Sequence, residues 1–349
     1  MNQKIPYIGG QRSDYKKIKL NFTTYGQTNA VKKISTTYHG RGYFGIRAIL
    51  IKQLQLHTRI VLHCPEYNCW ESFNLAVKDL SNITLIKYNN DEQLHRNLVK
   101  NKELKNCIVI INFFGVSDIN SLLKLSKKFK STAIIDLANS FPTLKYIKKL
   151  ISPHTYVLIS LRKFLPLPGG AIIFSLKPDI SCGVRKKIFW PFWSVLKKAS
   201  SFKKIDCILN FFSIRKALFK WHERSLKNNC YAQSDIDFFF SINLENLLAI
   251  RIINYIEFLK SPIIKKNNFL KFCKIRSINI NPLYLPLSCK NPDIVQNMLA
   301  KENIYCPVFW PDSERKYRIL GLPIDDRYSI NEIKKISTLL ESKEYAPHI

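Results

Sequence analysis

The chain has 349 residues, 46% of them hydrophobic, which is enough for one large domain with a smaller one attached. Its nine cysteines are scattered and form no Cys-x-x-Cys pair, which argues against a disulfide framework or a zinc site and favours a reducing compartment. No apolar run reaches about 18 residues, and the first residues contain no apolar signal core, so we expect a soluble, cytoplasmic protein.

The formal charge of +30, from 55 basic and 25 acidic residues, is compatible with a nucleic acid, an anionic membrane surface or an anionic small ligand. The lysines are spread along the whole chain beside abundant Ile and Asn, and no basic tail or nucleic-acid motif occurs. This pattern favours a bias of overall composition together with phosphorylated small ligands. We therefore expect no nucleic-acid partner.

Apolar runs alternate with amphipathic stretches through the first half of the chain, as strands alternate with helices. The sequence predicts helices over 43–56, 70–80 and 119–129, and strands over 59–64, 83–88, 107–113, 133–135 and 156–160. This alternation predicts a mostly parallel sheet with helices on both faces. Ligands of such sheets bind beyond the carboxyl ends of the strands, so the functional residues are expected there.

The second half of the chain has a different pattern. Basic and aromatic residues dominate 185–227, which contains two predicted helices, and a long predicted helix over 244–259 follows. Strands are predicted over 281–287 and 305–309, and a closing helix over 330–340 begins with the capping-box spacing of Ser329 and Glu332. We predict a large α/β domain at 1–240 and a small α+β domain at 241–349.

Asp136 and Lys163 follow two of the apolar runs, and Lys163 precedes a Gly-Gly pair. A carboxylate and a lysine at strand ends are what a pyridoxal phosphate (PLP) enzyme needs. The acid keeps the pyridine nitrogen protonated, so that the ring withdraws electrons, and the lysine forms a Schiff base. The alternatives are a turn or N-cap role for Asp136 and a solvated side chain for Lys163.

Several segments occur in the order found in one enzyme group: Gly40-Arg41-Gly42-Tyr43, 61–70, 111–118, 134–139, 160–170, 304–311 and 322–329. Through them the chain resembles the DegT/DnrJ/EryC1/StrS sugar aminotransferases, which are fold-type-I PLP enzymes. The resemblance covers most of the chain. It implies an α/β fold with a mostly parallel central sheet, helices on both faces and a smaller C-terminal α+β domain.

The resemblance implies a role for each matching site residue. Lys163 carries the Schiff base with PLP and, once freed, moves the proton between the substrate carbon and the cofactor. Asp136 pairs with the pyridine nitrogen. Asn139 lies where the group has Gln or His near the phenolic oxygen of the cofactor, and the Ser160 hydroxyl is placed to donate to the phosphate.

The backbone amides of Gly40, Arg41 and Gly42 are placed to bind the same phosphate at a helix N-terminus, where the dipole favours an anion, although a plain tight loop is an equal alternative. The residue that stacks on the cofactor ring stays open. The candidates are Tyr67, Cys69 and Trp70, and Cys69 occupies the position that is aromatic in the group.

The resemblance implies an aminotransferase that moves an amino group from glutamate to a keto-sugar nucleotide by a ping-pong cycle, acts as a homodimer and serves polysaccharide or related biosynthesis. Two departures are visible: Pro168 stands where relatives carry an acid, and 228–231 only faintly matches the segment that reaches the partner subunit's cofactor. A catalytically degenerate homologue with a regulatory or scaffolding role is therefore the alternative function. The segment 185–198 offers a further possible role, weak contact with a membrane surface; the alternative for this segment is a dimer contact or a lid.

Overall fold

The computed structural model describes residues 34–115, 117–142, 144–164, 170–176, 244–267, 280–310, 318–325 and 328–349. The predicted helices within 185–227, the segment 185–198, Pro168, residues 228–231 and the boundary near residue 240 lie outside these residues. Among the described residues, no helix combines the length and the apolar character needed to cross a bilayer.

A seven-stranded sheet forms the centre of the fold. The strands before residue 176 are β1 (Ser35–His39), β2 (Ile60–Pro65), β3 (Ile83–Tyr88), β4 (Lys105–Ile111), β5 (Thr132–Asp136), β6 (Ser140–Pro142), β7 (Thr155–Ser160) and β8 (Ala171–Ser175). All except β6 join the sheet, in the order β1-β8-β7-β5-β4-β2-β3. The strands from β7 to β3 in this order are parallel, and β8 runs antiparallel to both of its neighbours.

Burial on both faces explains why the central strands read as uninterrupted apolar runs. Every residue of β7 is buried, as is every residue of β4 after Lys105. A parallel sheet is covered by helices on both sides, so its strands show no polar alternation. The predicted mostly parallel sheet is confirmed.

The helices that cover the sheet are α1 (Gly42–Leu56), α2 (Trp70–Val77), α3 (Asp91–Lys100), α4 (Asn120–Lys128), α5 (Leu144–Leu150) and the short α6 (Leu161–Phe164). Ile46 of α1 and Phe73 of α2 pack in one core cluster with one face of the sheet. Leu94 of α3 and Ile147 of α5 pack in a second cluster, on the other face. The expected helices on both faces are therefore present.

The later part of the chain builds a smaller α+β unit. Its elements are α7 (Leu244–Phe258), α8 (Pro262–Asn267), β9 (Ile280–Pro282), β10 (Tyr284–Cys289), α9 (Pro292–Lys301), β11 (Val308–Phe309), β12 (Arg318–Pro323) and α10 (Ile330–Glu341). Strands β10, β12 and β11 form an antiparallel sheet. The predicted capping box is present, since the Glu332 N–H donates to Ser329 Oγ and the Glu332 carboxylate accepts from the Ser329 N–H.

Two predicted strands have different bounds in the structure. The strand predicted over 107–113 ends at Ile111, and a 3-10 turn over Phe113–Gly115, in which Phe114 has a positive φ of 55°, takes its place. The strand predicted over 281–287 is divided into β9, which pairs with β6, and β10, which pairs with β12. Leu283 lies between them and donates its N–H to the Asn139 carbonyl at 3.0 Å, so the chain changes partner there.

A third strand is shorter than predicted. The strand predicted over 305–309 is reduced to β11, and the carbonyl of Cys306 before it accepts a hydrogen bond from Gln296 Nε2 at 2.6 Å instead of one from a neighbouring strand. The core nevertheless joins the two parts of the chain. Leu283, Tyr284 and Phe309 pack in the same cluster as the residues on one face of the central sheet.

Candidate active site

Asp136 and Lys163 lie at the same edge of the sheet. Asp136 is the last residue of β5, and Lys163 belongs to α6, which directly follows β7. The two strands are parallel neighbours, and Asp136 is opposite Leu158 in their register. The structure therefore brings the acid and the lysine to the carboxyl ends of adjacent strands, as the sequence predicts.

The amine of Lys163 has a defined partner. Lys163 Nζ donates to Asn139 Oδ1 at 2.7 Å, and Asn139 is only 4% exposed. Asn139 lies in the turn that follows β5, between Asp136 and the short strand β6. Asn139 thus touches the amine of Lys163 itself, a contact that the sequence did not predict.

The carboxyl group of Asp136 is partly buried, and Oδ1 accepts the Ala138 N–H at 2.8 Å. Burial raises the pKa of Asp136, while the positive charge of Lys163 and the bond from Ala138 oppose that rise. A cation placed against this carboxylate would hold it in the charged form. The acid is therefore suited to pair with a positively charged ligand group.

The glycine turn is joined to the helix that carries the lysine. Gly40 lies between β1 and α1, Gly42 is the first residue of α1, and the Gly40 carbonyl accepts the Gly170 N–H at 2.7 Å. The Gly170 carbonyl in turn accepts the Leu161 N–H at 3.0 Å. Gly170 has a φ of 118°, which side chains rarely tolerate, so a glycine is needed to make both bonds.

Two further predicted phosphate ligands lie close to this connection in the chain. Arg41, the N-cap residue of α1, and Ser160, the last residue of β7, are both buried. Ser160 is opposite Ala171 in the register of β7 and β8, next to Gly170. An anion at the N-terminus of the long helix α1 would meet the backbone amides of its first turn and its dipole. Phosphate binding by these residues stays a prediction.

His39 immediately precedes the glycine turn and gives a testable dependence of stability on pH. Burial lowers its pKa from 6.5 to about 4. In the unfolded chain His39 binds a proton below pH 6.5, whereas in the folded chain it does so only below about pH 4. The free energy of unfolding therefore falls by roughly 3 kcal/mol as the pH is lowered from 6.5 to about 4. We expect urea unfolding of His39→Gln to show a correspondingly smaller loss. The same substitution at the exposed His57 should leave most of it in place.

The candidates for stacking on a cofactor ring point to different surroundings. The buried Tyr67 donates its hydroxyl to the Phe309 carbonyl at 3.3 Å. Cys69 is the N-cap residue of α2, and its Sγ lies 3.3 Å from Ser72 Oγ. Trp70 donates Nε1 to the Glu66 carbonyl, and Lys87 Nζ lies 4.9 Å from its ring centre.

Tyr67 belongs to an aromatic cluster that also contains Phe113, Phe114, Tyr284, Phe309 and Trp310. The ring centres of Tyr67, Phe113 and Trp310 lie 4.6–5.6 Å apart. Phe113 and Trp310 are partly buried and contact the core clusters of both sheet faces, so they lie over the edge of the sheet. Sequence reasoning gave these two rings no role, although both occur within segments that carry the resemblance.

Backbone strain accompanies this cluster. Phe114 and Trp310 adopt positive φ angles of 55° and 49°, which bulky side chains rarely adopt. Such strain persists only where the surroundings enforce it, and it is frequent at ligand sites. The cluster is joined to the acid by one residue, since the Asn112 N–H donates to the Asp136 carbonyl at 3.1 Å and Phe113 follows.

Several solved structures share this fold. A DegT DnrJ EryC1 StrS aminotransferase from Brucella abortus is similar with a TM-score of 0.55 and 12% identity, over 87% of this chain and 84% of that one. PseC from Helicobacter pylori, an aminotransferase involved in the biosynthesis of pseudoaminic acid, has a TM-score of 0.54 and 13% identity, over 87% and 85%. No protein-family model and no curated protein sequence matches the chain.

A third similar structure has a different activity. The archaeal O-phosphoseryl-tRNA(Sec) selenium transferase has a TM-score of 0.53 and 14% identity, over 88% of this chain and 70% of that one. Identities this low show the fold and not the reaction, which has to be argued from the site. The predicted fold-type-I PLP-transferase architecture is confirmed.

Proposed function

We propose that this chain is a PLP-dependent aminotransferase that attaches the cofactor to Lys163. The observation that carries the proposal is the meeting of Lys163, Asn139 and Asp136 at the carboxyl ends of β5 and β7. A lone lysine in so basic a chain would be a weak candidate. Lys163 is a specific candidate, because its amine donates to the buried amide of Asn139 and its charge lowers the pKa of the neighbouring Asp136.

The residues present fit the cofactor group by group. Lys163 supplies an amine for its aldehyde carbon, Asp136 a carboxylate for its ring nitrogen, and the turn before α1 a set of backbone amides for its phosphate. When bound, PLP supplies an electron sink that stabilises negative charge on the carbon next to the substrate nitrogen.

The side chains then have separate tasks. Burial raises the pKa of Asp136, but a cofactor ring nitrogen bound beside its carboxylate would hold the carboxylate charged, and the carboxylate would keep a proton on that nitrogen. Lys163, once its amine is free, would take the proton from the substrate carbon and deliver it to the cofactor carbon to which the amino group is transferred. Asn139 orients the lysine amine between these events.

The finer parts of the proposal concern substrates. We propose glutamate as the donor and a keto-sugar nucleotide as the acceptor, with a homodimer as the active form in the cytoplasm. The charge of +30 favours an anionic acceptor. The partly buried rings of Phe113 and Trp310 are the surfaces that a planar or pyranose ring would contact, and Phe113 follows the residue that donates to the Asp136 carbonyl.

Reduction of the cofactor-loaded protein tests the proposal. We expect the purified chain with added PLP to gain a visible absorption band, and borohydride followed by peptide mapping to find the cofactor on Lys163. Glutamate should bleach that band, and an accepted keto-sugar nucleotide should restore it. Absence of both band and label would contradict the proposal and favour the degenerate homologue. Label confined to exposed lysines, such as Lys149, would show only unspecific modification.

A further inference from the structure

The short helix α6, which carries Lys163, contacts an arginine from the later part of the chain. Phe164 follows Lys163 in α6 and is 1% exposed. Its ring packs edge-on against Phe141 of β6, with ring centres 5.4 Å apart. On Phe164 also lies the guanidinium of Arg251 from α7, 5.3 Å from the ring centre.

Arg251 also reaches the segment between β9 and β10. Its Nη1 donates to the Leu283 carbonyl at 2.9 Å, and the residue is only 3% exposed. A buried guanidinium is unfavourable unless its donors and its charge are used. Arg251 uses both, because a planar guanidinium can stack on a ring and donate hydrogen bonds at its edge at the same time.

These contacts close into a ring. Leu283 donates its N–H to the Asn139 carbonyl at 3.0 Å, and Asn139 Oδ1 accepts from Lys163 Nζ at 2.7 Å. The route therefore runs from Lys163 through Phe164, Arg251, Leu283 and Asn139 back to the lysine amine. Arg251 connects the two halves of this ring of contacts. The face of its guanidinium packs on Phe164 of α6, and the edge donates to Leu283, which is bonded to Asn139.

We infer that Arg251 is a positioning residue that keeps the amine of Lys163 against Asn139, so that the C-terminal part of the chain controls the reactivity of the lysine. This inference rests on the proposed function for the importance of Lys163, but its geometry does not involve the cofactor. A hydrogen bond from an ammonium group to an amide oxygen favours the charged form of the amine, which is not nucleophilic. Loosening the ring should therefore make the amine more reactive.

Competitive acetylation of the full chain without added PLP measures this reactivity. Limiting acetic anhydride and peptide mass spectrometry give the labelling of Lys163 relative to the exposed Lys149. We expect this ratio to rise about three- to tenfold in Arg251→Lys, since a lysine keeps the buried charge but cannot stack and donate together. The matched control is Arg96→Lys, which changes an exposed arginine of α3 and should leave the ratio unchanged.

A second variant removes the other half of the contact. Phe164→Leu keeps an apolar side chain and the charge of Arg251, and we expect it to raise the ratio in the same direction. An unchanged labelling ratio in folded Arg251→Lys would overturn the inference. If the ratio rose only in Phe164→Leu, the effect would belong to the packing of Phe164 and not to Arg251. If Arg251→Lys does not fold, an unchanged ratio in Phe164→Leu overturns the inference. Failure of the proposed function is separate, because it would appear as absent PLP labelling of the unaltered chain.

Discussion

Lys163→Ala is expected to abolish attachment of PLP and to lower the rate of amino transfer by at least about 10³-fold, because the variant loses both the nucleophile and the group that carries the proton. The fold should survive. The side chain of Lys163 is only partly buried, whereas its neighbours Leu161 and Phe164 make the core contacts of α6. The measurement is the borohydride-fixed label on the chain together with single-turnover rates with glutamate.

Two controls make the result specific. Lys149→Ala removes an exposed lysine of α5 and should leave label and rate unchanged. Lys163→Arg keeps a positive charge near Asp136 but offers no nucleophilic amine, so it should behave like Lys163→Ala. If Lys163→Ala still took up PLP on another lysine and turned over at the normal rate, the proposed attachment site would be wrong.

The elements that carry the acid and the lysine could be predicted from sequence because they are strongly apolar. β4, β5 and β7 are almost entirely buried, and each contains an uninterrupted apolar run, namely 107–111, 133–135 and 156–159. A residue that directly follows such a strand must lie at the carboxyl edge of a parallel sheet. The pattern therefore placed Asp136 and Lys163 together without any knowledge of their contacts.

Several elements were missed, among them the strand β8, which is buried throughout, and two elements with few apolar residues, β1 and α3. β1 has the sequence Ser-Thr-Thr-Tyr-His and lies at the edge of the sheet, where polar residues are compatible with a strand. α3 presents only Leu94 and Leu98 to the core, so its apolar residues are too few to show a helical period clearly. Its beginning is nevertheless marked, since Asn90 caps it by accepting the Gln93 N–H.

The contacts that shape the site could not be predicted, because they join residues far apart in the chain. The ring through Arg251 and Leu283 brings α7 and the segment before β10 against α6, and no local pattern records such a meeting. The same holds for the aromatic cluster. Positive φ angles at Phe114 and Trp310 run against the preference of bulky residues, so the tertiary structure overrides the local one.

Asp136→Asn should slow proton removal from the substrate severely while leaving PLP attached to Lys163. An amide cannot keep a proton on the ring nitrogen by charge, and losing a charged hydrogen bond of roughly 1.5–3 kcal/mol corresponds to about a 10- to 150-fold lower rate constant. The rate is measured as exchange of the glutamate α-proton for solvent deuterium. Asp293→Asn, which removes an exposed carboxylate from an ion pair with Arg318, should leave the exchange unchanged.

The pH dependence of cofactor affinity separates this role from that of a turn residue. Burial raises the pKa of Asp136, so acidification neutralises its carboxylate at a higher pH than that of an exposed aspartate. This loss of charge should weaken PLP binding to the unaltered chain. The variant has no group to titrate at this position, so its affinity should lack the part of the pH dependence that the carboxylate contributes. Identical profiles in the two proteins, together with normal exchange in Asp136→Asn, would mean that the carboxylate serves only to accept the Ala138 N–H and order the turn that carries Asn139.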